Sequence, residues 1–258
     1  MSKSPVRDFG PIADDYAFFE AHTDEMEQDA RAYAECLAAL TRSEDPIRML
    51  DFGCGTGSFT ERLLKHTGWP PARLQLTLVE PVETARRQAV ARLAGSTEHA
   101  VVDSGSMPSG LAGRFDVVLA NHVFYYVPGL QGALAALIDA LAPSGLFVTA
   151  IASRSSKLIA FWIAGFRMLD REIPYHTSED VEAALQALGA RYRKAQVAFD
   201  VAFPDVEENR MRILRFLLGD YLAQLQVRPL LELFDLHSRA GRIHLSTACD
   251  HFTIFSRS

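Results

Sequence analysis

This sequence lacks a basic tract: its lysines and arginines are scattered and outnumbered by acids. Its 258 residues carry a formal net charge of -6, and the densest basic stretches are Arg86-Arg87 and residues 191–194. A protein that grips nucleic acid neutralises many phosphates from one positive face, so nucleic acid is not an expected partner. Cysteine is scarce. Cys36, Cys54 and Cys249 lie far apart with no Cys-x-x-Cys pair, which argues against a disulfide framework and a thiolate zinc site. No two histidines have metal-pair spacing on a helix, and no metal is expected. Long apolar runs are also missing. None approaches the roughly 20 residues of a membrane span, and the opening MSKSPVRDFGPIADDY has no apolar signal core. The expectation is a cytoplasmic protein with no membrane partner.

What is present is a 48% apolar chain, enough for one elaborated domain over 1–258. It divides into N-terminal helices (1–45), a core (46–153), and cap helices with final strands (154–258). The stretch 13–40 has helical spacing and reads as one or two helices. Then IRMLDF, LQLTLVE, HAVVD, FDVVLAN and LFVTAIAS read as strands, separated by helical segments such as SFTERLLKHTG and PVETARRQAVARLAG. Strands alternating with helices imply right-handed crossovers. The fold class is therefore α/β: a doubly wound, Rossmann-like, mostly parallel sheet. After residue 153 the rhythm turns mainly helical, YRKAQVAFDVAF alternates like a strand, and IHLSTACDHFTIF is expected to finish the sheet as antiparallel strand.

The stretch LDFGCGTGSF, at 50–59, places three glycines on alternate positions directly after the first strand. A plain βα turn needs one glycine, so a cofactor loop is the favoured reading. A dinucleotide fingerprint spaces its glycines as G-x-G-x-x-G, and a phosphate loop needs Gly-Lys-Ser/Thr; neither fits. The D-x-G-x-G-x-G pattern from Asp51 through Gly53 and Gly55 to Gly57 resembles the first motif of class I methyltransferases that use S-adenosylmethionine (SAM) and release S-adenosylhomocysteine. The resemblance implies further cofactor contacts. Glu80, followed by Pro81, ends the second strand where the family holds the ribose hydroxyls. Asp103, with Ser104 beside it, stands where the family contacts adenine, and Asn121 ends the fourth strand beside the cofactor.

Two more stretches narrow the resemblance. FFEAHTDEMEQ at 18–28 and NHVFYYVPGL at 121–130 are similar to the substrate helix and the fourth-strand motif of the histamine N-methyltransferase-like family. That similarity implies Glu25 as the carboxylate holding an acceptor amine, with Tyr16, Phe19, Tyr125, Tyr126 and Trp162 lining the pocket. His122 stands where the family has a glutamine, and Asp250 in ACDH stands near its C-terminal asparagine. On a helix, His22 shares a face with Phe18 and Glu25, so it joins the expected substrate set. His122, just past a strand end, has the intrinsic pKa nearest neutrality and is expected, with Glu25, to handle the acceptor proton. The expected partner is a small-molecule acceptor, an amine or imidazole nitrogen. Two alternatives stay open: O-methylation of a phenol or carboxylate, with Arg154 and Arg167 available to the latter, and SAM binding without turnover.

Overall fold

The structure is a computed structural model that describes residues 10–41, 44–108 and 110–256. The N-terminal helical stretch forms two helices, α1 (Ala13–Ala21) and α2 (Glu25–Thr41). They are separated because Thr23 forms an antiparallel bridge with Val201, which pulls the connecting backbone out of helical conformation.

Strand β1 (Ile47–Phe52) is buried or half-buried at every position, as an interior strand of a covered parallel sheet is. It lies between β2 (Leu74–Val79) and β4 (Phe115–Asn121), with β3 (Val102–Ser104) outside β2 and β5 (Leu141–Ile151) outside β4; all five run parallel. β3 is shorter than HAVVD predicts and starts at Val102. It is the sheet's edge, where a short strand limits unpaired backbone. α2, α3 (Ser58–Thr67) and α4 (Glu83–Leu93) cover one face through Tyr33, Leu37, Leu63, Ala89 and Leu93. On the other face lie α5 (Leu130–Asp139) and α7 (Ser178–Ala187), through Leu134, Leu137, Val181 and Leu185. The sheet order 3-2-1-4-5-8-6 reverses direction between β1 and β4. That reversal opens a crevice beyond the carboxyl ends of the two strands.

The cap is an extension of the same sheet. β6 (Tyr192–Pro204) and β8 (Arg242–Phe255) pair antiparallel almost end to end, but β5 pairs only with residues 250–255 of β8. The rest of the two strands overhangs β5 as a ribbon. Its Phe199, Val201, Phe203, Ile243 and Leu245 bury against α6 (Lys157–Met168), α8 (Glu207–Leu218), α9 (Val227–Glu232) and the α1 residues Phe18 and Phe19. The two-residue strand β7 (Ser238–Arg239) pairs with the start of β8. The helical rhythm expected after residue 153 is interrupted. α8 stops at Gly219, whose φ of 52° and ψ of -134° break the helix, and the chain continues as a 3-10 turn.

Because cap and core share β6 and β8, one cooperative unit is expected. Trp69 lies in the α3-side core and Trp162 in the cap core, so each reports one part. Trp69→Phe and Trp162→Phe are each expected to give a urea midpoint by fluorescence that coincides with the one by far-ultraviolet circular dichroism. A Trp162 transition that clearly precedes loss of secondary structure would make the cap an independent unit.

Candidate functional site

The start of α2 is pinned before the helix begins. Asp24 Oδ1 accepts the Asp200 N–H at 2.7 Å, and Thr23 Oγ1 accepts the Glu25 N–H at 3.1 Å. These contacts set the rotation of α2 over the sheet. Glu25, Asp29, Tyr33 and Leu37, four residues apart, form one inward stripe. Below it, Cys249 and His251 point up from alternate positions of β8, and Asn121 and His122 arrive from the end of β4.

Asp29 is fully buried and collects three donors. His122 Nε2 lies 2.9 Å from its Oδ2, Asn121 Nδ2 donates to the same oxygen at 3.2 Å, and His251 Nε2 lies 2.7 Å from its Oδ1. The Tyr33 hydroxyl donates to Asn121 Oδ1 at 2.7 Å, which orients the amide. Burial works against charge on Asp29, but the hydrogen bonds from both imidazoles hold its carboxyl well below the usual range. Glu25 sits beside this group, with Oε1 accepting from Cys249 Sγ at 3.4 Å and lying 3.6 Å from His122 Nε2. Burial raises Glu25 and also the Cys249 thiol. Burial alone would lower His122; the charge of Glu25 and the bond to Asp29 outweigh it and push the imidazole up to about 9. The ligand atoms of Glu25, His122 and Cys249 come within 4.8 Å of one another, a proximity that sequence spacing did not suggest. His122 Nε2 is committed to Asp29, so hydrogen bonding accounts for the grouping.

The backbone of His122 is left-handed, with φ at 54°, a strained setting that an L-residue keeps only where its surroundings enforce it. Next to it, Val123 presses against the glycine loop. A Cβ on Gly53 would meet Val123 Cγ2 at 2.5 Å, and one on Gly57 would meet the backbone of Ala89 at 3.1 Å. Those two glycines thus have packing reasons of their own. Gly55 differs: its Cβ would enter open space, and its N–H donates to Glu80 Oε2 at 3.0 Å. Glu80 Oε1 also accepts the Val82 N–H at 2.9 Å, so the acid closes the loop at the carboxyl end of β2. Asp51 is buried and bonded by the Thr60 hydroxyl; burial, with the nearby charge of Glu80, pushes it up to about 7. Asp103 and Ser104 end β3, where Arg86 bridges Asp103 Oδ2 at 2.9 Å and the Glu80 carbonyl at 2.7 Å, while Pro81 follows Glu80 at the rim. A glycine loop with one open backbone position, flanked by strand-end acids, fits a nucleoside carrying an amino acid.

The methyltransferase-domain family matches residues 25–195, about two-thirds of the chain. The chain belongs to that family. Among its relatives, the biotin biosynthesis bifunctional protein BioCD of Bordetella avium is 33% identical over 60% of this chain and 32% of its own. A trans-aconitate 2-methyltransferase of Rhodopseudomonas palustris is 36% identical over 52% of this chain and 47% of its own. The chain thus spans a third to a half of the length of these relatives. Among solved structures, the plantazolicin methyltransferase BpumL, in complex with S-adenosylhomocysteine, shares 16% identity and a TM-score of 0.56, covering 96% of this chain and 90% of its own. A possible histamine N-methyltransferase of Thermotoga maritima shares 15% and 0.54, covering 96% and 98%. These likenesses show the fold. The family and the bound product in such neighbours make SAM the cofactor.

The methyltransferase crevice brings together Glu25, His122, Asn121 and Tyr125, whose hydroxyl lies 3.3 Å from His122 Nδ1. Tyr125 also packs on Tyr126 and Trp162, while Phe19 stacks on Phe216 of α8 and Tyr16 packs tilted against the same ring. Asn121, expected at the cofactor, spends both side-chain ends on Tyr33 and Asp29. The Trp162 indole donates to the Leu217 carbonyl at 2.7 Å and is part of the cap core. His22 bonds the Phe18 carbonyl and packs on its ring. Asp250 points away from Cys249 and His251, to the opposite sheet face, where it bonds Ser178 and, at 3.0 Å, Lys194. There it borders an open polar groove of about 460 Å³ with Ser153, Glu179 and Lys194. Asp29 and His251 were not singled out in the sequence. Their signals were the four-residue stripe running from Glu25 through Asp29 to buried Tyr33 and Leu37, and the alternation of Cys249 with His251.

Gly53→Ala and Gly55→Ala are expected to separate packing from binding. The first forces a Cβ into Val123 on an equally left-handed backbone and should cost about 2–5 kcal/mol in urea unfolding. The second meets nothing and should cost about 1–2 kcal/mol from its left-handed backbone, yet weaken SAM binding by titration calorimetry about tenfold or more. Equal effects of both variants on SAM affinity would remove Gly55 from the cradle.

Proposed function

We propose that this protein transfers a methyl group from SAM to a nitrogen of a small amine or imidazole-bearing acceptor. The observation that carries the reading is Glu25: a buried carboxylate with no lysine or arginine paired to it among the described residues, whose charge is felt by the phenols of Tyr16 and Tyr125. A buried acid of this kind is stabilised by a cationic ligand, through a charge-assisted hydrogen bond and attraction to aromatic faces of roughly 0.5–2 kcal/mol per good contact. Asp51, Gly55 and Glu80 would hold the cofactor, with Asp103 and Ser104 near its base. Bound SAM supplies an electrophilic methyl, and its sulfur keeps the electron pair of the broken C–S bond. The chain's own work is alignment, exclusion of water and removal of the acceptor proton. Glu25 orients the acceptor nitrogen, and His122 takes its proton.

A second reading, O-methylation of a carboxylate, draws support from His122. Held protonated below about 9, it offers a positive group at the same place. The kinship to a trans-aconitate methyltransferase is in keeping with it.

Incubation of the protein with SAM and a mixed panel of amines, imidazoles, phenols and carboxylates, followed by mass spectrometry, is expected to show an amine gaining one methyl group. Glu25→Gln should lower kcat/KM for that amine about 10–100-fold, the scale of one hydrogen bond to a charged group. Methylation confined to carboxylates would move the assignment to the second reading. His122 accepts a proton only when neutral, so kcat should fall tenfold per pH unit below about 9 and level off above it. The same measurement on His122→Asn should lose that limb.

A further inference from the structure

The surroundings of His122 are divided by its two ring nitrogens. On the Nε2 side stand both carboxylates, Asp29 at 2.9 Å and Glu25 at 3.6 Å, together with the Cys249 thiol bonded to Glu25. On the Nδ1 side the one hydrogen-bonding group among the described residues is the Tyr125 hydroxyl at 3.3 Å. A carboxylate accepts and does not donate, so an Asp29 held ionised requires a proton on each imidazole nitrogen that faces it. Asp29 faces His122 Nε2 and His251 Nε2. In neutral His122 the bare, basic nitrogen is then Nδ1.

Tyr125 completes the path. Its Oη accepts the Ala152 N–H at 2.7 Å, which leaves its own proton to point at Nδ1 and a second lone pair facing outward. The ring is held against Trp162 at 5.4 Å, edge to face, so the hydroxyl has little freedom. Resting on the reading that His122 takes the acceptor proton, we propose that this proton leaves through the Tyr125 hydroxyl to His122 Nδ1, with Asp29, itself anchored by His251, as the positioning residue that makes Nδ1 the base. The acceptor N–H proton passes to Tyr125 Oη as the phenol proton passes to Nδ1. Tyr125 ends neutral, His122 ends as imidazolium, and the freed nitrogen pair forms the new N–C bond. The imidazolium is held by Asp29 and Glu25 on its far side.

His251 shows that this anchoring is structural rather than a second proton path. Its Nδ1 is buried with no hydrogen-bond partner, so protons reaching Asp29 from His122 have no onward route through His251. The anchor reaches across the fold: Asp29 lies on α2, His122 follows β4 and His251 is on β8. The same carboxylate also receives Asn121, whose other end is fixed by Tyr33. Four side chains thus hold the orientation of one imidazole.

The test reads the tautomer without any substrate. In wild-type protein labelled with nitrogen-15 at histidine, taken above pH 9 and assigned with His122→Asn, long-range proton–nitrogen correlation is expected to show His122 protonated at Nε2 and bare at Nδ1. A proton on Nδ1 overturns the proposal whatever the acceptor is. Asp29→Asn should shift the His122 titration at least one unit downward, and His251→Gln should move it less while blurring the tautomer preference. Tyr125→Phe keeps the ring on Trp162 and is expected to reduce kcat on a methylated amine about 10–100-fold with KM little changed. Full activity of Tyr125→Phe alongside an inactive His122→Asn would sink the tyrosine path and leave the function intact. Full activity of His122→Asn on the amine would remove His122 as the base, and the path with it, while leaving amine methylation standing.

Discussion

A fully buried carboxylate, Asp29, is the constraint around which the site is arranged. An ionised acid removed from water is tolerated only when paired and hydrogen-bonded, and Asp29 meets that demand with donors from two strands and a strand-end turn. Those bonds fix how α2 lies over the sheet. They also fix His122, whose left-handed backbone places its ring between the helix and the crevice. Glu25, one turn earlier on α2, is carried into the same space by the helical repeat. The charge pattern follows from the pairing: the anions share one side of the imidazole, and a phenol occupies the other.

The glycine loop serves two masters. Gly53 and Gly57 let the loop lie against Val123 and α4, so the segment carrying His122 can approach β1 closely. Gly55 alone turns an open backbone position outward, within reach of the Glu80 carboxylate. The proposed cofactor cradle and the proposed base, His122, are therefore mechanically joined through Val123. On the proposed function, a single small-residue motif positions both halves of the transfer, and the cost is a loop with three residues in the left-handed region.

The cap follows the same economy. The overhanging part of β6 and β8 supplies a floor for α1, α6, α8 and α9, and the start of α2 is tied to that floor through Thr23 and Asp24. Rings of α1 and α8 meet above it, and so do rings of α6 and the turn after β4. Some of the rings expected to line a pocket belong instead to the hydrophobic core, Trp162 above all, because a buried indole N–H must be satisfied and the Leu217 carbonyl satisfies it. Asp250 illustrates a different effect. Strand alternation sends it to the opposite face from its neighbours, a consequence that proximity in sequence conceals.

Local patterns were enough to read much of this protein from its sequence: the alternation of strands and helices, the parallel sheet with antiparallel finishing strands, the glycine loop at 51–57 and the acid at the end of the second strand. These are legible because strand and helix periodicities and turn requirements act over a few residues. The partnership of Asp29 with Asn121, His122 and His251 was not, since it joins residues 92, 93 and 222 positions apart. Nor was the division of labour among the three glycines, which depends on what packs against each. Sequence determined which chemical groups are available and which elements carry them. Tertiary structure decided which groups face one another, because only the packing of α2 across the sheet settles which acid is buried, which nitrogen of His122 it holds, and which faces Tyr125.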